Sequence, residues 1–171
     1  TRLTKIIGLE RLGPGSGTGR CGYCDKDDAG SEPPATRDVA GGTEFISYTG
    51  IDSSNDAWYI TQSGNNQIAS QHFVFDINQA PAEILNIYVE WEGYGEQTGA
   101  NFYIWNVSGA SYELVEAGTA TGAPDDVLNG NYTSAADYVD GSGYLHLIAT
   151  ELGSGATKDL ATDYVRVLVT A

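Results

Sequence analysis

Apolar and polar residues alternate along most of this chain with a period of two, the spacing of a half-buried β-strand. Phe73, Phe75 and Ile77 share one face of such a strand, and Ile87, Val89 and Trp91 share one face of another. Over 162–170, Tyr164, Arg166 and Leu168 take one face while Val165, Val167 and Val169 take the other. The pattern predicts strands over 43–49, 57–62, 67–77, 83–91, 100–106, 111–117, 143–151 and 162–170, separated by turn-forming residues. Asn129-Gly130, between Val127-Leu128 and Asn131-Tyr132, predicts a type I′ hairpin turn. Residues 134–140 read as one helical turn, and nothing supports a long amphipathic helix. Short strands with Gly-rich turns imply an all-β fold, a β-sandwich of jelly-roll type, with an immunoglobulin-like sandwich as the alternative.

The first 42 residues break the pattern. Leu3, Lys5, Ile7, Leu9 and Arg11 alternate with other residues as an edge strand would, while Leu3, Ile6 and Ile7 also fit one helical turn that Gly8 weakens, and residues 13–20 are a Gly-rich linker. Residues 21–42 hold both cysteines, an acidic cluster, Pro33-Pro34 and Gly41-Gly42, and read as irregular. The organisation is therefore an N-terminal extended arm with a Gly-rich linker and a Cys-x-x-Cys over 1–42, followed by a β-sandwich domain over 43–171.

Charge sharpens this division. Six of the eight basic residues lie in the first 37, with five acids, for a net +1. The remaining 134 residues carry two basic and 18 acidic residues, for a net −16. A cationic arm on an anionic body is suited to contact between copies, and a total of −15 argues against nucleic acid and anionic lipid as partners. No apolar run reaches the roughly 18 residues of a membrane-spanning helix.

The strands themselves carry a resemblance. Phe73-Val74-Phe75-Asp76-Ile77, Ile87-Tyr88-Val89-Glu90-Trp91-Glu92-Gly93-Tyr94-Gly95, Tyr103-Ile104-Trp105-Asn106, Asp137-Tyr138-Val139 and Thr162-Asp163-Tyr164-Val165 resemble a recurrent all-β module of archaeal and bacterial secreted or surface proteins. That module is similar to galactose-binding-like and carbohydrate-binding jelly rolls. The resemblance covers about residues 43–171 and implies an accessory or structural role. It carries no functional residue with it, because the matching motifs are framework.

Candidate chemistry is sparse. Cys21 and Cys24 fit a local disulfide, two plain thiols or half of a zinc site. Asp25, Asp27 and Asp28 offer oxygens for a calcium ion, as do Asp52/Asn55/Asp56 and Asp125/Asp126, but the first cluster lacks the acid at position 12 of an EF-hand. No resident cofactor is expected beyond such a structural calcium or zinc. Glu90 and Glu92 flank Trp91 on one strand, about 7 Å apart, within the range of glycosidase carboxylates, yet they read more simply as solvated acids. No Gly-x-Ser-x-Gly elbow or phosphate loop occurs, and the chain reads as non-enzymatic. Tyr103 and Trp105 share a strand face and are the candidate sugar platform, with packing as the rival role. Asn106 and Asn131 begin glycosylation sequons.

Two functional expectations follow. One is a structural subunit of an extracellular assembly, a filament, surface layer or virion coat. It would be a homopolymer of copies joined by insertion of an arm into a neighbour, with Arg2, Leu3, Lys5, Ile7, Leu9 and Arg11 as the assembly residues. The other is a carbohydrate-binding or adhesive module whose partners are glycans. Both place the chain outside the cell or on its surface, and neither involves membrane insertion. An arm lodged in its own sandwich would favour the second.

Overall fold

The computed structural model describes residues 4–7, 20–27, 32–38, 43–44, 51, 54–65, 67–77, 79–151 and 157–171, with backbone alone for 4–7, 20–27 and 43–44. It is a sandwich of two antiparallel sheets. Sheet A contains β1 (Thr4–Ile7), β11 (Asp159–Thr170), β6 (Asn86–Gly95) and β9 (Asp126–Tyr132), in that order, with β4 (Tyr59–Gln62) also paired to β11. Sheet B runs β3 (Thr43–Glu44), β2 (Arg20–Asp27), β5 (Ile68–Asp76), β10 (Tyr144–Glu151), β7 (Asn101–Asn106) and β8 (Ser111–Ala117). The helical turn expected over 134–140 is α1 (Ala135–Tyr138).

The core is the set of inward positions that alternation assigns. Phe73, Phe75 and Ile77 from one sheet meet Ile87, Val89, Trp91, Val165 and Val167 from the other, all essentially without solvent exposure. Phe102 and Ile104 join them, so Tyr103 and Trp105 lie on the outer face of sheet B. A polar tie crosses the core at one end. Gln71 Nε2 donates to Thr61 Oγ1 at 3.1 Å and to the Leu160 carbonyl at 2.9 Å, fixing β5 against β4 and β11.

The N-terminal region departs from expectation. β1 pairs antiparallel with β11 of its own body, from Thr4 opposite Thr170 to Ile7 opposite Val167. Part of the segment expected to be irregular is β2, paired with β5 on one side and β3 on the other. The physical cause is edge satisfaction. Both β5 and β11 would otherwise present unpaired N–H and C=O groups, and the chain fills each edge with its own N-terminal strands. Of the expected strand over 43–49, Thr43 and Glu44 are in β3 and 45–49 lie outside the described residues.

Asn129-Gly130 is not a turn. Both residues lie inside β9, where Asn129 opposes Glu90 and Gly130 opposes Val89. A Cβ on Gly130 would come within 2.8 Å of Val115 Cγ1. The glycine therefore serves close approach between β9 and β8 rather than a positive φ. β6 also begins later than the apolar run suggests, because Pro81–Glu83 form a 3-10 turn before it.

Candidate functional site

The outer face of sheet A is built from the residues that alternate with the core. β6 presents Tyr88, Glu90, Glu92 and Tyr94 there, and β11 presents Tyr164, Arg166 and Leu168. Register sets Leu168 opposite Tyr88, Arg166 opposite Glu90 and Tyr164 opposite Glu92, while β9 adds Asn131, Asn129 and Val127 beside Tyr88, Glu90 and Glu92. The three tyrosines are partly buried, and Asn129, Asn131 and Val127 are exposed.

Arg166 organises the centre of this face. Its guanidinium lies 5.8 Å from the Tyr88 ring centroid and 5.5 Å from that of Tyr164. Its Nη2 is 2.9 Å from Glu90 Oε1, and the Tyr88 hydroxyl donates to Glu90 Oε2. Burial pushes the Tyr88 hydroxyl pKa up, and Glu90 beside it adds to the rise. The ladder Tyr88–Arg166–Tyr164 thus holds two rings and a cation in fixed order, with the cation already neutralised.

A second group lies at one end of the same face. Trp58 meets Tyr94 edge-on, with centroids 5.6 Å apart at 79°, and its Nε1 donates to Asp125 Oδ2 at 3.2 Å. Carboxylate oxygens of Glu92, Asp125 and Asp163 fall within 4.8 Å of one another. Asp163 is the extra residue of a β-bulge, since β11 advances from Thr162 opposite Gly93 to Tyr164 opposite Glu92. It is fully buried and accepts from the backbone N–H groups of Asn55 (3.1 Å) and Ala57 (3.2 Å). Burial raises the Glu92 pKa, the Ser54 hydroxyl opposes this, and Asp125 and Asp163 push it further up. Three such oxygens suit a hard cation or an ammonium group, but Asp125 and Asp163 already accept hydrogen bonds from the protein, so the trio by itself assigns no ion.

The outer face of sheet B is different because the chain covers it. Residues 32–38 bond across it. Glu32 Oε1 accepts from Asn101 Nδ2 (2.6 Å), Thr150 Oγ1 (2.6 Å) and the Tyr103 hydroxyl (3.2 Å), and the Tyr112 hydroxyl donates to the Arg37 carbonyl at 2.7 Å. Tyr103, Trp105, Tyr112 and Ile148 form a small apolar cluster there, with Tyr103 7% and Trp105 9% exposed. The candidate sugar platform is therefore not open: its two rings are packed. Burial drives the Tyr103 and Tyr112 hydroxyl pKa values well above the usual range.

The remaining sequence candidates divide cleanly. Cys21 opposes Phe73 and Cys24 opposes Ser70 in one uninterrupted stretch of β2. Three residues of extended strand separate their Cα atoms by about 10 Å. A disulfide needs them within roughly 7 Å, and two ligands of one zinc ion must converge likewise, so this strand joins the pair by neither. Asp25 and Asp27 lie in β2, whose side chains are outside the description, and Asp28 lies outside the described residues, as do Asp52, Arg2, Leu3, Leu9 and Arg11. Lys5 and Ile7 are in β1, on their own body's β11. The Asn106 side chain is engaged in its turn, donating to Glu113 Oε1 at 2.6 Å and accepting from Gly109 N at 2.7 Å. Asn131 is exposed on β9. Asp126 accepts from Thr119 N (2.5 Å) and Ala120 N (2.6 Å) and so braces a loop.

The family described as AF_1625_C, uncharacterized protein, C-terminal domain, matches residues 28–171. The chain belongs to that family. No curated protein matches the chain. The AF_1625_C span takes in residues 32–38 and the strands from β3 onward, and it leaves out both β1 and the Cys-bearing β2. Both outer faces described above therefore belong to the AF_1625_C unit. No helix among the described residues is long and apolar enough to cross a membrane.

Proposed function

We propose that this chain is a non-enzymatic, glycan-binding adhesive module displayed outside the cell, and that the outer face of sheet A is its binding surface. A jelly-roll arrangement is part of this reading. Its support is the strand order: β4-β11-β6-β9 in one sheet and β5-β10-β7-β8 in the other, with successive strands from β4 to β7 and from β8 to β11 alternating between sheets.

The observation that carries the reading is the Tyr88–Arg166–Tyr164 ladder. Partly exposed rings held on a rigid sheet can stack on the apolar faces of pyranose rings. Glu90, Asn129 and Asn131 lie beside them and can bond sugar hydroxyls. The ligand is a neutral or amino-substituted polysaccharide, since a body of net −16 repels uronate and phosphate polymers.

The test is retention on insoluble neutral and amino polysaccharides, followed by titration with soluble oligomers. Y88A/Y164A removes both rings. Stacking worth about 0.5–1.5 kcal/mol per ring predicts roughly a 5- to 150-fold loss of affinity. Unchanged binding by the folded double variant, or no retention of the wild-type chain on any such polymer, refutes the proposal.

Strand exchange between copies is a second reading, favoured by one feature. β1 fills an edge of sheet A and is joined to β2 in the other sheet by residues 8–19. A neighbour's β1 fits the same edge of β11. A tether of this length keeps the chain's own strand at an effective concentration on the order of millimolar, so exchange needs crowding of that degree, as in a surface array.

A further inference from the structure

Two histidines stand beneath the segment that closes sheet B. His72 on β5 and His146 on β10 stack with centroids 5.3 Å apart and an interplanar angle of 19°, and His72 Nε2 lies 3.2 Å from His146 Nδ1. His146 Nε2 is 3.4 Å from Asp140 Oδ2, which also receives Arg37 Nη1 at 3.0 Å. Arg37 in turn pairs with Asp38 at 2.9 Å. One continuous polar chain thus runs from the histidines to residues 32–38.

We propose that residues 32–38 are an acid-released strap, closed while His72 and His146 are neutral and opened by their protonation, uncovering the aromatic surface of Tyr103, Trp105 and Tyr112. The proposal is independent of the glycan reading, which concerns the opposite face.

The geometry supplies the switch. In the 3.2 Å contact one ring nitrogen must donate and the other accept, so the contact survives only while at least one ring is neutral. A proton on both turns two N–H groups and two charges toward each other. Protonated His146 also faces the Arg37 guanidinium across a shared carboxylate oxygen. Burial holds the His72 pKa down to about 3, with the His146 charge adding to the drop. Burial and then Arg37 lower the His146 pKa, while Asp140 and Asp38 pull it back up.

Every neighbouring element carries groups that enter this balance. The strap brings Glu32, Arg37 and Asp38, the loop before β10 brings Asp140, and Asp76 and Tyr144 lie at the paired ends of β5 and β10. β7 and β8 bring Tyr103 and Tyr112, and β2 carries Arg20, Tyr23, Asp25, Lys26 and Asp27 alongside β5. Asp38 and Asp140 have pKa values below the ordinary 3.8, so their support for closure is retained until the pH falls under that value. Between about pH 6.5 and 4.5 a histidine released to its ordinary pKa of about 6.5 takes up its proton.

The sign follows from linkage. A histidine with a depressed pKa when closed binds its proton more readily when open. Closure is fully favoured above about pH 6.5 and weakens as the pH falls toward the closed-state values, by up to tenfold per pH unit per histidine. Between pH 6.5 and 4.5 one titrating histidine lowers the closing constant about 100-fold, and two lower it up to about 10⁴-fold.

The experiment uses the full chain with Trp58→Phe, which leaves Trp91 in the core and Trp105 packed edge-on against Tyr112, whose hydroxyl bonds the strap. Acrylamide quenching is followed from pH 7.5 to 4.5 beside far-UV circular dichroism. Quenching is expected to rise severalfold while the sheet signal holds. H72Q/H146Q should abolish that rise, and R37A should raise quenching already at pH 7.5. If the double histidine variant fails to fold, H146Q alone should reduce the steepness to that of one proton. Shielding of Trp105 that persists at pH 4.5, opening that coincides with loss of the sheet signal, or an unchanged pH response in the histidine variants overturns the proposal.

Discussion

Thr162→Val takes one oxygen out of the core and tests how the outer face of sheet A is held from below. Trp91 Nε1 donates to Thr162 Oγ1 at 2.7 Å, and both side chains are fully buried. Valine keeps the shape, so no cavity opens. The indole N–H is a donor only, and its loss of an acceptor in the core costs about 1–3 kcal/mol. At this chain length 1 kcal/mol moves Tm by about 2–4 °C, so a cost near 2 kcal/mol lowers it by roughly 6 °C. The indole has little freedom to seek another partner. A Cβ on Gly93 would lie 2.6 Å from Trp91 Cζ2 and 2.1 Å from the Ala161 carbonyl, so the ring occupies the space of an absent side chain. Reversible urea denaturation followed by circular dichroism measures the cost. W91F and the T162V/W91F double variant complete a cycle that isolates the bond. A T162V stability within about 0.3 kcal/mol of wild type, or an equal cost in the W91F background, would show that the reasoning about this donor is wrong.

Two further outcomes follow from the strand pairings. The purified chain, unfolded without reductant, should titrate two free thiols per molecule; a mass two hydrogen atoms lighter, with no thiol, would mean that Cys21 and Cys24 leave the extended strand that separates them. Deleting residues 1–12 uncovers the β11 edge from Val167 to Thr170, so the shortened sandwich should stay folded but associate with rising concentration in light scattering, and a synthetic 1–12 peptide should suppress this. A truncated chain that remains monomeric at all concentrations would mean that the edge is not open to strand addition.

The sandwich core was legible because alternation is a direct consequence of the pleat. Phe73/Phe75/Ile77 and Val165/Val167/Val169 needed no tertiary information to be placed inward. The alternation of Lys5 and Ile7 foreshadowed the edge strand β1, but β2 was read as irregular because its strand status comes from the edge it completes, which local propensity does not contain. Asn129-Gly130 carries a turn signal, yet β9 holds it extended because Gly130 is needed where Val115 approaches. Tyr103 and Trp105 were correctly set on one face, but no sequence pattern announces that residues 32–38 return to cover it. The Glu92–Asp125–Asp163 cluster was half visible, in Asp125 and Asn55. Its missing member depends on a bulge at Asp163, and one extra residue in a ladder leaves no mark on composition.

The two outer faces answer the same problem in opposite ways. On sheet B the outer side chains include the rings of Tyr103, Trp105 and Tyr112 and two stacked histidines, and the chain lays its own segment over part of that face. On sheet A, Tyr88 and Tyr164 flank Arg166, which Glu90 matches, so the charge at the centre of this face is paired with nothing bound on it. A surface that is stable when empty yet keeps π-faces partly exposed in a fixed array can take up and release an uncharged polymer without refolding. Strand exchange has no such economy, because β1 must first leave an edge it already satisfies. The AF_1625_C match begins at residue 28, and so it contains both faces but not that strand. If one activity is common to this unit, the body must perform it, and sheet A offers the only one of its two outer faces that the described chain does not strap shut.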